Sequence, residues 1–382
     1  MGGKAILRPG EAGAPRIVLA YPRRPGGSAH ETASQDELAR RIALLLDCPF
    51  LTEAEFQRLH HVVRPYCVPA ETLTEHECRS DSRLAGIGGE EDFFGGRVPH
   101  EFVSTKAISH PLIDPHALRP EGWSAHFGAR TQAVTLRGFT AFSKAEAYRA
   151  GCRLLEIGPV RLKPARGKGG RGQRVLRNRA ELDAAIQECD IPTLVKCGIV
   201  LEENLEDVRT YSVGQVQVGR IDASYVGHQT LTPDRGGQLV YGGSDLRFAR
   251  GLLPALLTTP LADDERKAAT LAAAYDQAAV DCYPGLLASR RNYDVACGID
   301  GSGAIRFGVL EQSWRAGGAS MAEACALEAF HRHPALRSVH AFTRERYGET
   351  ALPGPPAQLV YRGDDEQEGP MIKYAGISSH GG

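Results

Sequence analysis

The chain has no pair of cysteines two residues apart; its nine cysteines stand singly between Cys48 and Cys325. That scatter excludes a disulfide framework and points to reduced thiols. His60, His61, Cys67, His76 and Cys78 lie close in sequence, but their spacing fits no standard zinc-ligand pattern. No apolar run approaches the length of a membrane span, and Met1-Gly2-Gly3-Lys4 opens no signal-peptide core. The expected compartment is therefore the cytoplasm, with no membrane partner. Neither sign of charge dominates: 45 Lys+Arg against 46 Asp+Glu leave a net charge of -1. No general basic field draws the chain to nucleic acid, so local basic clusters read as site-specific. With 382 residues, 42% hydrophobic and 24% charged, it reads as a soluble globular protein of two or three compact units.

The most informative stretch is Pro159–Leu176, where a strand-like Val160-Arg161-Leu162 leads into Lys163-Pro164 and a loop with Gly167, Gly169, Gly170 and Gly172. So many glycines let successive backbone N–H groups converge on one anion, and Lys163, Arg166, Lys168 and Arg171 add positive charge. The loop formally contains G-x-G-x-x-G, but Gln173–Leu176 reads as a second strand rather than the helix that a dinucleotide fingerprint requires. Gln173 also stands where a Walker A loop needs Lys, and no V-A-I-K, H-R-D or D-F-G follows as in a protein kinase. A lid over nucleotide phosphates and a plain surface turn both remain; the rest of the chain decides between them.

Arg16–Tyr21 is an apolar run of strand length, and Ser34-x-x-Glu37 reads as a capping box opening a helix that carries Leu38, Ile42 and Leu45. A new unit starts near Val134, with Ser143-x-x-Glu146 capping a helix whose Tyr148, Cys152 and Leu155 share a face. Asn178-x-x-Glu181 caps another, and Thr193–Lys196 and Gly198–Leu201 read as extended, ending in Glu202-Glu203-Asn204-Leu205. The pattern over 134–205 is a two-layer α+β unit. Val208–Val218 reads as extended segments separated by Gly214, Gln229–Gly251 as a polar loop, and Asp263–Cys282 as a helix.

Two apolar runs then flank Asp300-Gly301-Ser302-Gly303, a strong β-hairpin signal. A register symmetric about Ser302 and Gly303 sets Asp294 opposite Glu311 on one face, beside Ser313 and Arg315. Two carboxylates so placed repel unless a cation lies between them.

In this order the features resemble the ATP-grasp superfamily, most specifically over Val134–Leu205, which is similar to its lid subdomain; biotin carboxylase and the carbamoyl-phosphate synthetase large subunit have a similar E-x-N-x-R element. The resemblance implies an α/β ATP-grasp fold with an α+β lid. It divides the chain into an N-terminal α/β pre-ATP-grasp-like domain over 1–105, a connecting segment over 106–133, the lid over 134–205, a C-terminal subdomain over 206–345 and a tail over 346–382. It also implies ATP with Mg²⁺, or Mn²⁺ in its place, as cofactors. Lys106, Lys163 and the Gly167, Lys168, Gly169, Gly170 and Gly172 loop are then the phosphate ligands. Glu202, Glu203 and Leu205 form the adenine hinge, and Asp207 is the ribose acid. Asp294, Glu311 and Ser313 hold the metal, Ser313 standing where the family usually has Asn, while Arg209 and Arg315 address phosphate or an anionic substrate.

Three functional readings follow from the resemblance. The first is a ligase that activates an acidic small molecule as an acyl phosphate for attack by an amine or other nucleophile. The second is a non-catalytic, regulatory ATP-binding protein. The third is a biotin-carboxylase-like enzyme phosphorylating bicarbonate, whose biotin carrier would be separate because the chain has no M-K-M. A homo-oligomer is compatible with all three.

Overall fold

The computed structural model describes residues 17–21, 27–58, 65–167, 172–348 and 351–381. The first strand, β1 (Ile17–Tyr21), is buried at all five positions. It pairs in parallel with β2 (Phe50–Leu51) and β3 (Pro65–Pro69), the uninterrupted apolar reading typical of a parallel strand covered on both faces. Its covering helix, Ala29–Leu45, starts six residues before the expected Ser34 box. Ser28 is the N-cap, and Ser34 lies inside, its hydroxyl donating to the His30 carbonyl. Leu38 and Ile42 are buried as expected, while Leu45 packs at the margin of the core. A small sheet of β4 (Leu73–Thr74), β5 (Gly96–Val98) and the later β13 (Leu287–Ala288) ties this layer to the rest of the chain. His60 and His61 lie outside the described residues, as does Met1–Lys4.

The lid is a four-stranded sheet in the order β6 (Gly138–Ala141), β9 (Ile199–Glu203), β7 (Val160–Pro164), β8 (Arg174–Leu176). Helices Lys144–Leu155 and Arg179–Gln187 pack on it, capped by Ser143 and Asn178 as the spacing predicts. The first buries Ala147, Ala150, Gly151 and Leu154, one position away from the expected Tyr148, Cys152 and Leu155. Close helix packing sets this choice: a Cβ on Gly151 would lie 2.4 Å from Leu182 Cδ1. Thr193–Lys196, expected to be extended, belongs to a helix, Ile191–Cys197. Asp190 caps it by accepting from the Thr193 N–H, and Pro192 sits in the first turn, where its missing N–H costs nothing.

The rest of the chain builds an eight-stranded sheet. β10 (Glu206–Val218), β11 (Ile221–Pro233) and β12 (Leu239–Arg250) form a meander of long strands, so Gln229–Gly251 is mostly strand rather than loop. Gly214 does not interrupt β10; it lets the Tyr225 hydroxyl approach to 2.4 Å from where a Cβ would stand. β14 (Arg290–Ile299) and β15 (Ile305–Ser313) are the expected hairpin, with the Asp300 carboxylate accepting from the backbone N–H groups of Ser302 and Ala304 in the turn.

β16 (Ser338–Tyr347), β17 (Gln358–Asp365) and β18 (Gly369–Gly381) complete the order β15-β14-β10-β11-β12-β16-β18-β17. The stretch expected as a tail over 346–382 thus supplies two strands of this sheet, and Met371, Ile372 and Ala375 enter the core. Helix Asp263–Cys282 covers one part of the sheet with Ala268, Tyr275 and Ala279, and helix Ser320–Arg332 packs against another part together with helix Ala29–Leu45. Among the described residues no helix is long and apolar enough to cross a membrane.

Candidate functional site

A cleft of about 1520 Å³ runs between the lid, the inner face of the eight-stranded sheet and the N-terminal layer. One end of it is set by the β14–β15 hairpin. Asp294 and Glu311 are direct cross-strand partners, and so are Asn292 and Ser313. The symmetric register holds on that side only. A bulge at Leu310 shifts the ladder, so Val295 faces Val309 and the strand bends at the acids.

Asp294 Oδ1 accepts from Gln229 Nε2 at 2.9 Å, Asn292 Nδ2 at 3.0 Å and Ser212 Oγ at 3.4 Å. Burial, and then the Glu311 charge, push its carboxyl up to about 6, against the opposing pull of Gln229, Asn292 and Lys106. Asn292 is fixed in turn by the Tyr225 hydroxyl, which donates at 2.9 Å. Behind it the buried Arg290–Glu323 ion pair holds the carbonyls of Ser313 and Arg315 through Arg290 Nη1. Gln229, Asn292 and Ser212 come from three different strands. No local motif in the sequence marks them; they become visible only when the strands are laid side by side.

The other end belongs to the lid. Glu202 is 1% exposed, and its two oxygens are taken by Lys163 Nζ and, at 3.1 Å, by His110 Nε2. Burial alone would raise this carboxyl, but the Lys163 charge and the His110 contact outweigh it and hold it down at about 2. Glu202 is therefore first an anchor for Lys163. A role as acceptor of a base amino group would have to share oxygens already engaged. His110, 0% exposed and with no partner for its Nδ1 among the described residues, escapes the sequence reading because it lies 92 residues from Glu202.

Lys106, 4% exposed, joins the two ends: its Nζ lies 2.8 Å from Glu311 Oε2 and donates at 2.8 Å to the carbonyl of Gly167 in the lid loop. Gly172 closes that loop with a φ of +73°. Lys168, Gly169 and Gly170 lie outside the described residues.

The remaining expected residues divide. Leu205 and Glu203 line the cleft, although the Glu203 carboxylate accepts from the Arg137 N–H and its own N–H donates to the Arg137 carbonyl. Ser313 and Arg315 line it too, with Arg315 Nε 3.7 Å from Glu71. Asp207 and Arg209 do not. Asp207 sits at a bulge in β10 with a φ of +49°, and Arg209 pairs with Asp264 on the helix across the sheet, at 3.2 Å. Val208, Thr210 and Ser212 face the cleft instead, and the ordinary alternation of the strand turns Arg209 to the opposite face.

Among the described residues no three His, Cys, Asp or Glu side chains converge on one point. The donor set nevertheless suits a hard cation. Asp294 and Glu311 offer carboxylate oxygens that repel each other, and Mg²⁺ takes one or two carboxylates together with substrate phosphates and waters.

Solved structures place this architecture. Biotin carboxylase from Campylobacter jejuni, solved as a β,γ-ATP complex, superposes with a TM-score of 0.50 over 95% of this chain and 87% of its own, at 14% identity. N5-carboxyaminoimidazole synthetase from Staphylococcus aureus, complexed with ADP, gives 0.50 over 96% and 94%, at 10% identity. The Aspergillus clavatus synthase with ADP and 5-aminoimidazole ribonucleotide gives 0.51 over 96% and 94%, at 12% identity. The chain has the ATP-grasp fold, as its sequence resemblance implied. No curated protein matches it. A family model does match, over residues 18–375, and the chain belongs to that family, "Protein of unknown function (DUF3182)".

Proposed function

We propose that the protein is an ATP- and Mg²⁺-dependent ligase that activates a carboxylate as an acyl phosphate for attack by an amine or similar nucleophile. The observation that carries this reading is the facing pair Asp294 and Glu311, in a cleft that also holds two buried lysines, one of them donating to the Gly167 carbonyl. All three structural neighbours named above were solved with ATP-type or ADP ligands, which supports a nucleotide as cofactor here.

In this reading Lys163, held by Glu202, and Lys106 bind phosphate oxygens, and Gly167 and Gly172 border the loop that closes over them and excludes water. Asp294 and Glu311, with Ser313 beside them, would hold the metal, which when bound neutralises phosphate charge. A substrate carboxylate oxygen attacks the γ-phosphorus, and the bond to the bridging oxygen breaks, its electron pair leaving with ADP. The nucleophile then attacks the acyl carbon, inorganic phosphate departs, and the nucleophile loses a proton. Arg315 orients the anionic substrate. The protein's contribution is positioning and charge neutralisation, with no covalent protein intermediate.

Purified protein with Mg-ATP should release ADP only when a carboxylate and an amine from a small-molecule panel are both present. Tight Mg-ATP binding with no ADP release across the whole panel would overturn the ligase reading in favour of a nucleotide-binding regulator.

A further inference from the structure

The cleft continues well past the reacting end, along a polar row on the inner face of the sheet. Ser212 is the cross-strand partner of Asp294, Ser244 that of Gln229, and Thr343 that of Ser244. Gln229 Nε2 donates to Ser212 Oγ at 2.9 Å, and the Tyr241 hydroxyl lies 2.8 Å from Ser244 Oγ and 3.1 Å from Thr343 Oγ1. All of these side chains line the one cleft. From β14 to β16 the row crosses four strand spacings, about 19 Å along the sheet at ~4.8 Å each. The path through space is shorter, since Gln229 on β11 already reaches Asp294 on β14 across β10.

The row ends on a charged pair. Glu345 and Lys373 face each other across β16 and β18, 3.0 Å apart and only 15% and 12% exposed, on the cleft wall. His30 stands beside them, and its buried Nδ1 has no hydrogen-bond partner among the described residues. Burial, and then the Lys373 charge, lower the pKa of this imidazole. The first turn of helix Ala29–Leu45 is already satisfied, because the His30 N–H donates to Asp365 Oδ2 and the Glu31 N–H to Ser28 Oγ. The helix end therefore adds no anion site.

We propose that Glu345, Lys373 and His30 form a head-group site for the zwitterionic, α-amino-acid end of an elongated substrate, whose other end reaches Asp294 and Glu311 along the polar row. The charges of the pair cancel. A plain anion on Lys373 would meet the Glu345 carboxylate, and a plain cation on Glu345 would meet the Lys373 ammonium. A zwitterion satisfies both and exchanges one ion pair for two. The His30 imidazole supplies one further hydrogen bond, and the hydroxyl and amide groups of the row suit a polar chain that continues from the side chain of the α-amino acid, such as the amide groups of a γ-glutamyl-linked peptide. The assignment rests on the ligase reading for the reacting end only.

The test is calorimetry on the full chain with saturating Mg-ADP, using the twenty common L-amino acids, γ-glutamylglycine and γ-glutamylcysteinylglycine, each with its N-acetyl counterpart, and acetate, succinate and citrate as simple acids. At least one free-ended compound should bind, about ten-fold or more tightly than its N-acetyl form, and the γ-linked peptides should bind better than glycine. The charge-reversed variant Glu345→Lys/Lys373→Glu keeps an ion pair and so should keep the fold. It should lose that discrimination while its Mg-ADP affinity stays within about two-fold of the parent. Equal binding of acetylated and free forms, or no binding by any free-ended compound, overturns the head-group site. Equal discrimination in the charge-reversed variant overturns it too. Should ADP release be supported only by the simple acids, the head-group site falls and the ligase reading stands; should a free-ended compound bind without any ADP release, the reverse holds.

Discussion

Glu202 and Asp294 are buried carboxylates at two ends of one cleft, and their surroundings are opposite. Glu202 is met by two nitrogen-bearing side chains, Lys163 and His110, and is held down at about 2. Asp294 is met by neutral donors on one oxygen and by the like charge of Glu311, which the single cation Lys106 only partly offsets, and is pushed up to about 6. A carboxylate already compensated by the protein is a structural anchor; one that the protein leaves in repulsion has a place for an external cation. The difference separates a residue that positions Lys163 from residues proposed to hold a metal.

The sharpest way to break this comparison is Glu311→Gln, which keeps the shape and removes the charge. Turnover in the ADP-release assay should fall about a thousand-fold or more, about 4 kcal/mol, while Mg-free nucleotide binding through Lys163 and the hinge largely persists. Parent-like turnover would remove the hairpin from the reaction.

Glu202→Gln should act on stability. It strands Lys163 beside His110 without an anion, and urea unfolding at pH 7 should show a loss of about 3–4 kcal/mol. The sign follows from the folded carboxyl lying near 2 against an ordinary 4.5. Its stabilisation is fully present above pH 4.5 and is lost as the pH falls toward 2, so the gap between parent and variant should narrow in acid. A gap that is constant down to pH 3 would mean that the loss comes from packing.

Asp294→Asn should do the reverse. The folded carboxyl lies near 6 against an ordinary 3.8, so the parent loses stability as the pH rises from 3.8 to about 6, and the loss is constant above that. Without Mg²⁺ the variant should be more stable than the parent at pH 7 by up to about 2–3 kcal/mol and equal to it below pH 4, while its turnover collapses. A destabilised variant at neutral pH would mean that Asp294 is an ordinary structural acid.

The smallest expected effect belongs to the lid. Backbone hydrogen exchange on either side of the loop, at 165–167 and 172–173, should slow when a non-hydrolysable ATP analogue and Mg²⁺ are added. Equal exchange with and without the analogue at saturation would count against a phosphate lid.

What the sequence determined by itself was local or carried by chain spacing. The caps at Ser143 and Asn178, the helix Asp263–Cys282, the turn at Asp300–Gly303 and the register of Asp294 on Glu311 all follow from residues a few positions apart, or from counting outward from a turn. The rest was decided in three dimensions. Which face of β10 meets the cleft was set by its pairing in the sheet, which put Val208, Thr210 and Ser212 inside and left Asp207 and Arg209 outside. A helix neighbour that demanded Gly151 rotated the buried face of helix Lys144–Leu155 by one position. The partners that fix the two carboxylates come from elsewhere in the chain: His110 lies 92 residues from Glu202, and Gln229 lies 65 from Asp294. A side chain's charge state depends on what surrounds it in space, so sequence could name the acids, and only the packed sheet could show which was compensated and which was left to bind.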